Sequence, residues 1–305
     1  QETEGSEKEP LSPEHAQKMQ EFIKYMKSQA PELRVIYYDS MTSEGKMDWQ
    51  NALTDKNSMF LSDEEGNAVA DEMFLNFWWT EDELASEELI KASAKKAEEL
   101  GLDPYQVFAG VDIQADGYMT PIRWDLFESS DNSTHTSLGL YCPNWAYTSA
   151  QNLDDFHKKE NNLWVNSKQD PSADIEYASD TQWHGVSTYA VEKSAITSLP
   201  FVTNFNTGSG YSFFKNGEQI STLDWNNRSI GDILPTYRWM MDHEGENKLT
   251  AYFDVGNAWY GGSSLKLLGN MGKDDSSVIH LYSADLPVEK STTFTTTAKA
   301  TTETS

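Results

Sequence analysis

Four short apolar runs in the first half of the chain end in side chains that can do chemistry. Tyr38 and Asp39 end the first, Asn76, Trp78 and Trp79 the second, Asp112 and Gln114 the third, and Asn144 and Trp145 the fourth. Carboxylates can carry a proton to and from a reacting oxygen. Trp and Tyr combine an apolar ring face with a polar handle. Taken singly, each residue serves equally well as packing or as a helix cap. Four successive strand ends of this type, three of them with Trp or Tyr alongside, point to a carbohydrate cleft with carboxylate acid–base chemistry.

Other chemistries lack their residues. The six histidines (His15, His135, His157, His184, His243 and His280) are nowhere paired at metal-ligand spacing, and neither His-Glu-x-x-His nor Cys-x-x-Cys occurs. Asp63-Glu64-Glu65 lacks the alternation of a calcium loop and reads as a solvated turn. There is no Gly-x-Ser-x-Gly elbow and no phosphate-binding loop. Cys142, the single cysteine, precedes Pro143 in an apolar run and reads as a small buried hydrophobe. Neither a metal nor a cofactor is expected. A net charge of −26 repels phosphate backbones and anionic lipid, so nucleic acid and membrane surfaces are not expected partners. No run approaches the roughly 20 apolar residues of a membrane span. Aromatics make up 12% of the chain, including ten Trp, many beside Asp, Asn and Gly, a mixture that suits sugar rings.

The elements that must position these residues alternate. Ser12 and Pro13 open a helix over 13–29, with Met19, Phe22, Ile23 and Met26 at helical spacing. Strands are expected at 34–38, 72–78, 106–113 and 137–141, as buried parallel runs. Short helix is expected over 47–53, and 58–61 is expected to pair with or lead into the next strand. A helix opens at a Thr80/Glu83 capping box and closes at Gly101, and another is expected over 152–164. Residues 165–210 read as long and irregular. Helix–strand alternation to about 150 indicates an α/β fold. Four strands leave two options, a small open sheet or half of an eight-stranded barrel. From about 246 the pattern becomes antiparallel, with strands at 248–254, 264–268, 277–282 and 292–300, the beginning of a β-sandwich.

The motifs and their order resemble glycoside hydrolase family 85, the endo-β-N-acetylglucosaminidases of N-glycans. Tyr37-Tyr38-Asp39-Ser40-Met41, Gly45, Trp49-Gln50-Asn51-Ala52-Leu53 and Asn57 follow the family order. Phe74-Leu75-Asn76-Phe77-Trp78-Trp79 and Phe108-Ala109-Gly110-Val111-Asp112 look like its next two strands. Leu199-Pro200-Phe201-Val202-Thr203-Asn204-Phe205-Asn206-Thr207-Gly208 resembles its return segment, and Gly261-Gly262-Ser263-Ser264-Leu265 the start of its sandwich. Gln114-Ala115-Asp116-Gly117 departs from the pattern, where the family more often has an aromatic and Arg-Gly.

The resemblance implies the C-terminal half of a (β/α)8 TIM barrel with return segment over 1–240, followed by a partial β-sandwich over 246–305. It implies that Gln1-Glu2-Thr3 is the end of an Asn-x-Glu catalytic motif whose Asn would precede this chain. Glu2 would then be the acid/base and Tyr38 the tyrosine assisting at the substrate acetamide. The implied mechanism is retaining and substrate-assisted, an exception to the two-carboxylate rule. Trp49, Trp78, Trp79 and Trp145 are candidates for stacking on sugar, and Asn76 and Asp112 for hydroxyl contacts, with core or supporting roles open for each. The expected partners are N-linked glycans, on a bacterial-type protein that is monomeric and secreted or at the cell surface, with a cytoplasmic location also open. A non-catalytic glycan-binding module is the alternative.

Overall fold

The computed structural model of the chain describes residues 5–131 and 133–300. They form two compact units, one running to Thr148 with Glu176–Trp183, the other Ser149–Ile175 with the residues from His184 onward. The boundary expected at 240–246 lies within the second unit.

The first unit is mixed α/β. Helix α1 (Pro13–Gln29) precedes strand β1 (Ile36–Tyr38), followed by β2 (Glu72–Phe74), helix α2 (Leu89–Glu99), β3 (Val107–Asp112), the short helix α3 (Trp124–Phe127), β4 (Ser137–Tyr141) and the short helix α4 (Trp145–Thr148). The four strands form one parallel sheet in the order β1-β2-β3-β4. Strand residues alternate between two faces. One face is apolar and closed: Met73, Leu75, Val107, Ala109 and Val111 are at most 2% exposed, and α2 packs on β3. The other face carries Tyr38, Phe74, Phe108, Gly110, Asp112, Gly139 and Tyr141, with Gly110 paired to Gly139 and Asp112 to Tyr141.

Several expected elements differ. Residues 47–53 are an irregular loop, and Ser58–Phe60 is a 3₁₀ turn. Strand β2 stops at Phe74, and Trp78–Thr80 is again a 3₁₀ turn. Helix α2 begins at Leu89, because the Thr80 hydroxyl accepts the backbone N–H of Arg123 at 2.7 Å and so caps nothing. Gly101 does close α2, at φ 73°.

The second unit begins with α5 (Leu153–Trp164), capped where expected: Asn152 Oδ1 accepts the Asp155 N–H at 3.0 Å. Its strands pair antiparallel in small sheets: β5 (Ser209–Gly210) with β8 (Trp225–Asn226), β6 (Phe213–Lys215) with β7 (Glu218–Ser221) and β11 (Tyr260–Gly261), β9 (Met240–Glu244) with β13 (Ser276–His280), and β10 (Thr250–Asp254) with β12 (Ser264–Leu268). Residues 292–300 are exposed and form no strand, since no neighbouring edge pairs with them among the described residues.

Candidate active site

The open face of the sheet is shaped by one ring. Phe74 of β2 lies across β3 and reaches β4: a Cβ on Gly139 would sit 2.4 Å from Phe74 Cε2, and one on Gly110 2.7 Å from Cε1 and 2.1 Å from the Leu75 carbonyl. Glycine is therefore required at both positions for close approach. Phe77 meets the edge of Phe74 at 5.9 Å and the Tyr141 ring at 5.7 Å. Tyr141 closes β4 and is exposed.

Beside this floor Tyr38 and Asn76 come together. The Tyr38 hydroxyl donates to Asn76 Oδ1 at 2.9 Å. Tyr38 is half-buried and Asn76 buried, so the bond holds a phenol and an amide in fixed orientation at adjacent strand ends.

Trp49 and Trp78 form a second pair, edge to face at 5.7 Å and 77°, both exposed on one side. The pair is held from beneath. Asp39 is fully buried: its Oδ2 accepts the Asn51 N–H at 2.7 Å, and its Oδ1 accepts Asn57 Nδ2 at 2.9 Å. Asn51 passes the constraint on, its Oδ1 accepting the Trp78 N–H at 3.1 Å. Asn51 has φ 52°, in the left-handed region that Asn tolerates better than most residues. Burial raises the Asp39 carboxyl to about 6, against the opposing hydrogen bonds from Asn57 and from the Asn51 and Gln50 backbone. With both oxygens engaged below the surface, this carboxylate is an anchor for the loop bearing Trp49.

Asp112 is half-buried, and its Oδ1 accepts the Gln114 N–H at 2.9 Å, which sets the turn leaving β3. Two expected stacking residues are instead core. Trp79 is 1% exposed with its indole N–H donated to the Gly110 carbonyl at 2.7 Å. Trp145 is 5% exposed, donates to the Ala115 carbonyl at 3.2 Å and fills the space above Gly117, where a Cβ would lie 2.2 Å from its ring. Neither offers a free ring face to a sugar. Glu2 lies outside the described residues. No metal-binding group of three or more His, Cys, Asp or Glu exists among the described residues, and no helix among them is long and apolar enough to cross a membrane.

The sequence places Asp39 at a strand end without its role as anchor, and two residues of the ring surface, Phe77 and Tyr141, had no place among the sequence candidates. Tyr141 falls on the same face as Gly139 by simple alternation, a signal the sequence did carry.

The family model of glycosyl hydrolase family 85 matches residues 1–213. The chain belongs to that family. Among curated relatives it is 25% identical to cytosolic endo-β-N-acetylglucosaminidase 2 of Arabidopsis thaliana, over 92% of this chain and 39% of that protein. It is 26% identical to the human cytosolic endo-β-N-acetylglucosaminidase, over 88% of this chain and 33% of that protein. The crystal structure of the glycoside hydrolase domain of Endo-D from Streptococcus pneumoniae is similar, with TM-score 0.79 and 30% identity, covering 89% of this chain and 42% of that one. The chain thus spans between a third and two fifths of the curated relatives it matches. Those relatives are named as cytosolic, so the expected secreted or surface location draws no support from them.

Proposed function

We propose that the protein is an endo-β-N-acetylglucosaminidase that cuts between the two GlcNAc residues of the N-glycan core and leaves one GlcNAc on the acceptor protein. The observation that carries this reading is the Tyr38–Asn76 hydrogen bond beside the exposed Trp49–Trp78 pair, at the ends of parallel strands in a family 85 chain. In this reading the four-stranded sheet is the C-terminal half of a (β/α)8 barrel over 1–240, and 246–305 begins a β-sandwich. The names of the curated relatives favour a cytosolic location.

The proposed reaction is retaining and uses the substrate's own 2-acetamido group. Its oxygen attacks the anomeric carbon as the glycosidic bond breaks, and Glu2 gives a proton to the leaving oxygen. An oxazoline-like intermediate results. Glu2, now a carboxylate, takes a proton from the incoming water, whose oxygen adds to the anomeric carbon and restores the acetamide. Tyr38, oriented by Asn76, would hydrogen-bond the reacting acetamide. Trp49 and Trp78 would hold a pyranose by its apolar face, and Asp112 would meet a hydroxyl at the mouth of the cleft.

The test is mass spectrometry of an N-glycosylated protein after incubation with the enzyme. A product carrying one residual GlcNAc supports the reading, and Glu2→Gln should then nearly abolish turnover. Intact glycan with measurable sugar affinity would mean a binding module. Bare peptide would mean cleavage at the asparagine linkage and would refute the assignment.

A further inference from the structure

The second unit holds a cavity of about 310 Å³ whose residues take no part in the strand-end cluster. Its wall is one face of α5: positions 154, 157, 158, 161 and 162 line it. That is the i, i+3, i+4, i+7, i+8 spacing which ordinarily turns apolar side chains toward a core. Here every one of the five is polar. Across from them stand Gln169, Tyr252 and Phe253.

Three features mark the cavity as more than a gap in packing. First, the part-buried side-chain amides of Asn162 and Gln169 line it and make no hydrogen bond to another described residue, which leaves them open to a ligand. Second, Gln169 is held at φ 60°, a conformation uncommon for a residue other than glycine and one that clusters at functional sites. Third, the back of the cavity is braced. Arg238, itself at φ 69°, donates from Nε to Asn161 Oδ1 at 3.0 Å and lies 5.2 Å over the Phe253 ring. The His157 ring sits 6.2 Å from Phe253, which extends the ring wall.

The chemistry selects the ligand class. Lys158 and Asp154 bring opposite charges to the rim, and Glu160, also on α5, is matched by Arg228 and Arg238. A charged ligand gains little from such a balance. Uncommitted amides beside aromatic rings suit a neutral polyhydroxylated ring, and the volume lies at the small end of ligand pockets. We propose that this cavity binds a single neutral pyranose residue, through the amides of Asn162 and Gln169 and the Lys158 ammonium, against the wall of Tyr252 and Phe253. This binding requires no turnover and stands whether or not the hydrolase reading does.

The test is an NMR titration of the chain with N-acetylglucosamine and, separately, methyl α-mannoside. At least one should bind in the millimolar range. Asn162→Ala should weaken it about five- to tenfold, the loss of a direct hydrogen bond. Gln169→Gly should weaken it similarly while raising the Tm, since glycine relieves the left-handed backbone. A rise in Tm with unchanged affinity would reduce Gln169 to a packing feature and overturn the site. No binding of either sugar would overturn it too. Binding that survives Asn162→Ala and is lost on Trp49→Ala would assign the sugar to the strand ends instead.

Discussion

The backbone N–H of Asn51 donates to Asp39 Oδ2 at 2.7 Å, and through this bond a fully buried carboxylate fixes the loop that carries Trp49. The same Asn51 holds the Trp78 backbone, so one acid sets the separation of the two exposed indoles. Replacing Asp39 with Ala strands the Asn51 N–H and one N–H of the Asn57 amide, whose nitrogen also donates to the Ala52 carbonyl. The expected loss is about 2–4 kcal/mol, the cost of buried unsatisfied donors, and denaturant unfolding followed by Trp fluorescence measures it.

Asp39 also gives the first unit a pH signature. Burial raises its carboxyl to about 6, so the folded chain keeps a proton that the unfolded chain has lost. Its stabilising contribution is full below the ordinary carboxyl value near 4 and is lost as pH rises through about 6. Asp39→Asn should flatten the stability profile across that window; an unchanged slope would remove Asp39 as its source.

The second unit should respond in the opposite sense. Burial pushes the Glu160 carboxyl up, but His157, Arg238 and Arg228 together outweigh it and hold it below its ordinary value. That contribution is present above about 4.5 and is lost as pH falls through the lowered value. Arg238→Ala should cost about 3–5 kcal/mol, because it leaves a buried carboxylate short of a partner. Hydrogen exchange of α5 at pH values above and below 4.5 would show the loss, and equal protection at both would refute it.

Tyr38→Phe removes only the hydroxyl that meets Asn76. Stability should fall by about 1 kcal/mol, while kcat on a chitobiose-core glycan should fall by about 10- to 100-fold if the phenol acts on the acetamide. A change in KM alone would leave Tyr38 as a binding group.

The indoles separate by burial. Trp49→Ala or Trp78→Ala should weaken glycan binding and leave the melting temperature near that of the parent, since both rings are partly in solvent. Trp79→Ala should cost about 3–5 kcal/mol of stability instead. Paired melting and binding curves for the three variants decide the matter.

What was readable in the sequence followed from local signals. Helix α1 begins at Pro13, α5 follows its Asn152 cap, and β3 and β4 sit within continuous apolar runs, so their neighbours in sequence sufficed. The loop at 47–57 did not read correctly because its order comes from Asp39, whose donors lie 12 and 18 residues further along. The Thr80 cap failed for a similar reason: a backbone amide 43 residues away claims its hydroxyl. Burial of Trp79 and Trp145 was hidden because both sit on short turns after their strands, where alternation no longer reports which way a side chain faces.

The ring of Phe74, spread over Gly110 and Gly139, couples three strands through van der Waals radius alone. Such a trio cannot drift independently over evolutionary time. A methyl group gained at position 139 has to be matched by a slimmer side chain at 74, so substitutions here should appear as compensating sets. Swapping bulk between those two positions is accordingly a route to reshaping the floor of the cleft while the strand register above it is kept.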